Sequence, residues 1–149
     1  MVSGALLESI KVKRVMNAVA AGTTDQNSTE VDMQGWDGVL FIATFGALTA
    51  TQVTQIKAQQ DVVTGMAGAA DLAGTLVGPL ADGDGNKCLA LDIYRPQERF
   101  VRCVVDRGTA NAVIDGVLAI QYKGRLTPTI QDATVAFAEK WSSPAEGTA

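Results

Sequence analysis

The sequence predicts an all-β fold, built as an antiparallel β-sandwich. Three observations predict it. Val, Thr, Ile and Gly are frequent, while apolar spacing of helical period is scarce. Short runs alternate apolar and polar residues, and clusters of Gly, Asn, Asp and Pro separate them. The chain has 149 residues, 47% of them apolar and 19% charged, enough to bury one core without a second domain.

The first run, 9–20, begins by alternation, with Ile10 and Val12 on one face and Lys11 and Lys13 on the other. Residues 1–15 read as an N-terminal arm or first strand. After the polar loop GTTDQNS, residues 28–33 make a short strand. The most apolar run, WDGVLFIATFG at 36–46, reads as a strand buried on both faces or lying at an interface. Phe41 and Phe45 share one face of it, and Trp36 falls on the opposite parity unless a bulge intervenes. Core packing is the expected role of these rings; a ligand-stacking platform is the sharper alternative, disfavoured by an aromatic content of 5%. Residues 51–60 alternate with Gln and Lys outward. The Gly- and Ala-rich stretch 61–86 reads as a long connection, with a helical turn near Ala69 to Leu72.

Residues 87–96 alternate cleanly, with Leu89, Leu91 and Ile93 inward, and 99–108 follow with Val101, Cys103 and Val105 inward. The short loop around Pro96 to Glu98 predicts a hairpin that pairs Ile93 with Val101 and Leu91 with Cys103. Cys88 then falls on the opposite face from Cys103, so both thiols are expected free, with Cys103 acting as a small core hydrophobe. Residues 111–125 form the last strand. Beyond Pro128, TVAFAEKW at 134–141 reads as a helix or a final extended arm, and 142–149 as a flexible tail.

Composition excludes several classes of function. A net charge of -4, with no basic run denser than Lys11, Lys13 and Arg14, does not suit a nucleic-acid surface. No segment is long and apolar enough to predict a membrane span or a secretory signal. No histidine occurs, which removes the commonest general base and zinc ligand. Ser and Thr are plentiful, but no G-x-S-x-G, P-loop or G-x-G-x-x-G pattern is present. The acid pairs Asp61 with Asp71 and Asp32 with Asp37 read as solvated loop carboxylates, not as a glycosidase pair. No catalytic residue, cofactor or metal ligand is therefore assigned, and an enzyme is the least expected class.

One motif resembles a calcium loop. Asp82, Asp84 and Asn86 supply oxygens at the first, third and fifth positions. Lys87 then stands where Gly is required, and Ile93 where a bidentate Glu is required. The stretch reads instead as the turn that launches the strand from 87, since Asp, Asn and Gly tolerate turn geometry. A weak calcium contact stays open as an alternative.

The order of segments resembles small head-decoration (cement) proteins of tailed bacteriophages. The resemblance covers roughly residues 28 to 128. It rests on DMQGWDGVLFI, LDIYRPQERFVR, ANAVIDGVLAIQY and GRLTP. It implies a jelly-roll sandwich that sits on the capsid exterior, bridges major capsid proteins, and associates with sister copies as a dimer or trimer. The implied site is the virion surface, after synthesis in the host cytoplasm, with no cofactor and no nucleic-acid or membrane partner. The apolar residues Leu6, Leu7 and Ile10 near the N-terminus, and Phe137 and Trp141 near the C-terminus, are the candidate subunit or capsid contacts. Packing on their own domain is the competing reading for all five. Two other classes stay open: a carbohydrate-binding jelly-roll module for host attachment, and another virion part such as a tail or head-completion protein.

Overall fold

The computed structural model describes residues 4–148, so the outermost parts of the predicted N-terminal arm (1–3) and C-terminal tail (149) lie outside the described residues. Ten strands follow a 3-10 turn at Leu6–Glu8. They are β1 (Lys11–Met16), β2 (Val19–Gly22), β3 (Gln26–Asn27), β4 (Val31–Asp32) and β5 (Trp36–Leu48). Then come β6 (Val53–Asp61), β7 (Ala70–Asp71), β8 (Cys88–Tyr94), β9 (Phe100–Gly108) and β10 (Ala112–Gly124). No α-helix occurs among the described residues.

The strands form two antiparallel sheets packed face to face. The first has the order β1-β10-β5-β8, with β2 also on β10. The second has the order β3-β9-β6-β7, with β4 continuing β3 along β9. If β3 and β4 count as one position and β2 as an extension, eight strands alternate between the sheets as 1-8-3-6 and 2-7-4-5. That interleaving is the jelly-roll order.

The core lies between the sheets and follows from period-2 alternation. Val39, Phe41, Ala43 and Phe45 of β5 face Ile56 and Ala58 of β6 and Val101, Cys103 and Val105 of β9 within one buried cluster. Leu91 and Ile93 close it on the β8 side, and Val117 and Ala119 on the β10 side. The inward rows read from the sequence on β5, β6, β8 and β9 are the rows observed. In β1, a register shift between Arg14 and Met16 turns Val15 and Met16 into the core, while Val12 lies opposite Ile120 on the outer face.

Three expectations are corrected. The segment IYRPQERFV is not a hairpin but a crossover between sheets. Ile93 pairs with Val39 in the first sheet, and Val101 lies between Val31 and Gln60 in the second. The Arg95 N–H closes β8 onto the Asp37 carbonyl (2.6 Å), whereas the Glu98 N–H donates to the Gln60 side chain and the Arg99 carbonyl accepts from Met33 N–H. The loop's two ends are thus claimed by different sheets. The helical turn expected near Ala69 to Leu72 is instead the short strand β7, paired with Gln59 and Gln60 of β6. Finally, β5 is fully buried on one face only: Leu40, Ile42 and Thr44 on the other are partly buried, which leaves the interface alternative for this run untouched.

Both cysteines are free, Cys88 exposed and Cys103 buried. The predicted separation holds for a different reason, because they stand in different sheets. Burial pushes the Cys103 thiol up to about 12, so almost no thiolate forms near neutrality. A colorimetric thiol titration is expected to count one thiol per native chain and two after denaturation. Substituting Cys88→Ser is expected to abolish the native signal.

Candidate interaction surface

The outer face of the first sheet is the most unusual surface of the molecule. Register places its residues in rows across the strands. Asp92, Leu40, Ile120 and Val12 form one row, and Ala90, Ile42, Leu118 and Arg14 the next. The centre is therefore a block of Leu40, Ile42, Leu118 and Ile120 contributed by the two longest strands. None is fully buried, and Leu118 is 39% exposed. An antiparallel sheet with one free face ordinarily alternates apolar inward and polar outward. Here β5 and β10 are apolar on both sides, so the outer face lacks a cover.

Aromatic rings border this block at one end. Tyr94, Gly38 and Tyr122 share a row, and Trp36 lies opposite Gly124 in the next. The glycines are required by these rings. A Cβ at Gly38 would come within 2.2 Å of the Tyr122 ring, and one at Gly124 within 2.7 Å of the Trp36 ring. Tyr122 therefore lies across β5 and donates its hydroxyl hydrogen bond to Asp92 on β8. Desolvation and that carboxylate raise the Tyr122 pKa. Tyr94 stacks parallel to Tyr122 with centroids 6.5 Å apart, and Arg95 and Lys123 each lie about 5 Å from the Tyr94 ring centre.

An open groove of about 560 Å³ continues from this aromatic end, lined by Trp36, Asp37, Arg95, Glu98, Arg99 and Arg125 among others. Two of its three arginines are neutralised locally. Arg99 donates two bonds to Asp32 (2.9 and 2.8 Å) and holds that carboxyl below the usual aspartate range. Arg125 pairs with Asp37 at 3.1 Å. The four carboxylates singled out in the sequence thus have structural partners. Asp61 accepts from the Val63 and Gly68 N–H groups, and Asp71 from Lys57 and Gln59.

The five candidate contact residues do not form one patch. Leu6 is 67% exposed at the 3-10 turn, and Leu7 is half buried against the C-terminal segment near Thr129 and Gln131. Ile10 is buried within its own chain, so it offers no surface to a partner. Phe137 and Trp141 are 93% and 75% exposed on an arm without regular secondary structure, so TVAFAEKW is not helical. Residues 142–148 form no regular element beyond it and are exposed. The outer-face block was missed as a named site. Its signal was present in the two-sided apolar run at 36–46 and in the matching run around Leu118 and Ile120.

The DGDGN loop is a turn. Asp82 accepts from the Thr51 N–H (3.0 Å), and Asp84 from the Ala81 N–H (2.9 Å) and Lys87 (2.7 Å). Asn86 adopts a left-handed conformation (φ 62°) and donates its N–H to the Gly46 carbonyl. No cluster of three or more acidic or cysteine side chains fit to hold a metal occurs among the described residues.

No protein-family model matches the chain, and no curated protein matches it in sequence.

Proposed function

We propose that the protein is a structural virion component that binds the outside of a phage capsid and holds neighbouring major capsid proteins together. The observation that carries this reading is the uncovered apolar outer face of the β1-β10-β5-β8 sheet, bordered by Tyr94, Tyr122 and Trp36. Apolar centres with an aromatic and arginine rim are the anatomy of protein–protein contacts. The jelly-roll framework and the segment order at residues 28–128 also support the reading. Contact with several capsid subunits at once would oppose their separation by mass action and multivalency.

The test adds purified protein to undecorated heads and measures co-sedimentation. Wild-type protein is expected to pellet with intact heads. Ile42→Asp, which charges the outer face without touching the core, is expected to bind at least tenfold more weakly while remaining folded by circular dichroism. Wild-type protein left in the supernatant would overturn the reading.

The Tyr94–Tyr122 stack beside Asp92 and Lys123 supports a second reading, a carbohydrate-binding module for host attachment, because flat rings and nearby polar groups suit sugars. A glycan array in which no sugar binds would dismiss it.

A further inference from the structure

The first sheet ends in two edges that the chain treats differently. The β1 edge is covered by the chain's own C-terminal segment. Gln131 accepts from the Val12 N–H (2.8 Å), Thr134 accepts from the Arg14 N–H (2.9 Å), and the Thr129 N–H donates to the Glu8 carbonyl (2.9 Å). The β8 edge is open. The Phe45 N–H bonds the Lys87 carbonyl and the Arg95 N–H bonds the Asp37 carbonyl, which fixes the phase of the β5–β8 ladder. Odd-numbered residues of β8 exchange bonds with β5, and the even-numbered ones point their N–H and C=O groups away from it. Those are Cys88, Ala90, Asp92 and Tyr94, and nothing among the described residues takes the groups up. This seven-residue edge carries no proline, lysine or bulge among the usual devices against pairing, and its one charge, Asp92, is engaged by the Tyr122 hydroxyl.

The same chain carries an unpaired segment with the sequence pattern of a strand. Past Thr134 the arm has no regular secondary structure and belongs to neither sheet. Val135, Phe137, Glu139 and Trp141 alternate with Ala136, Ala138 and Lys140, the period of a strand. Ala138, Lys140 and one side of Trp141 line hollows against the N-terminal turn, where Lys140 pairs with Glu8, while the Phe137 ring is 93% exposed and Trp141 still 75% exposed. Charge also matches. Arg95 and Lys123, beside the end of β8, have no carboxylate within ion-pair distance among the described residues, and the arm carries Glu139 and Glu146. The arm's base is bonded to β1, three strand spacings or about 14 Å from β8 across the sheet. To reach its own β8 it would have to cross the outer face at right angles to the strands.

We propose that residues 135–141 of one copy add as a strand to the open β8 edge of a second copy. The contact is heterologous, since arm and edge are different surfaces, so repetition gives a closed ring or an open chain. It deepens the expectation that sister copies associate, and self-association is measured without capsids, so its failure is distinct from failure to bind heads.

Three proteins are compared by light scattering at micromolar concentration: wild type, a chain ending at Thr134, and Ala90→Pro. The Ala90 N–H points away from β5, so proline there leaves the β5–β8 ladder intact but blocks the edge. Wild type is expected to be oligomeric, and each variant to fall to the mass of a single chain, about 15.5 kDa for the full length. The two variants mixed are expected to form a one-to-one complex, because one keeps the edge and the other keeps the arm. Unchanged thermal melting guards against misfolding, and Cys88→Pro, at the first residue of β8 with its N–H likewise turned from β5, supplies a second edge variant should Ala90→Pro fail to fold. Monomeric wild type, or an oligomer that survives loss of the arm, overturns the proposal.

Discussion

Phe41→Ala is expected to cost about 3–5 kcal/mol of stability, the range for removing a buried aromatic ring. Phe41 is fully buried at the centre of β5, flanked by Ala119 on β10 and Leu91 on β8. Both neighbouring strands hold the backbone in register, so the site cannot collapse to fill the space. A chain of this size has a total stability of about 5–15 kcal/mol, so the loss is a large share of it. In a thermal melt it corresponds to a fall on the order of 10 °C. The adjacent Leu40 supplies the control. It stands on the outer face, and Leu40→Ala is expected to leave the melt within a few degrees while weakening whatever contact that face makes. Equal destabilisation by the two substitutions would show that the outer face is covered within the chain.

Arg107→Met has the second largest expected effect. Arg107 sits on the inward parity of β9 and is 4% exposed. Its guanidinium donates to the carbonyls of Thr24 (2.8 Å), Ala20 (3.0 Å) and Ala112 (2.7 Å). It thus ties the β2–β3 connection and the start of β10 to the second sheet. Desolvation lowers its pKa, opposed by the nearby Asp25 carboxylate, yet an arginine stays charged under ordinary conditions. Methionine fills similar space but leaves three carbonyls without a donor. Each buried unsatisfied group costs about 1–3 kcal/mol, so a net loss of about 3 kcal/mol is expected after partial hydration. Urea denaturation should show a lower midpoint at unchanged slope. An unchanged midpoint would mean that water replaces the guanidinium without loss.

Local pattern carried most of the strand assignments and little of their partnership. Leu89, Leu91 and Ile93, and likewise Val101, Cys103 and Val105, were legible as inward rows because alternation is a property of a few neighbouring residues. Their pairing was not. A short loop with Pro96 looks like a hairpin, and only the distant bonds to Asp37 and Gln60 assign its ends to separate sheets. Arg107 was legible in principle, as a charged residue on the parity of Val101, Cys103 and Val105, but its three acceptors lie in other segments. The apolar outer face was half legible. The run at 36–46 showed that both sides of β5 are apolar, but not that Ile120 and Leu118 of β10 stand beside them. Of the terminal residues, Ile10 is buried outside the inter-sheet cluster, with its carbonyl held by the Gln131 side chain of the C-terminal segment, a long-range contact that no local spacing announces.

The sheet order has a consequence for how the chain is made. β10 lies between β1 and β5, yet of the ten strands described it is the last to be synthesised. Roughly a hundred residues separate β1 from its partner, a wait of about 5–20 s at ordinary rates of translation. Throughout that interval β1 has no strand partner, and β5 has two bare edges until β8 is made and one from then on. Folding of the first sheet therefore closes by insertion of a strand into a gap, not by growth from a hairpin. A nascent chain stalled before residue 112 is the form in which this protein most needs a chaperone.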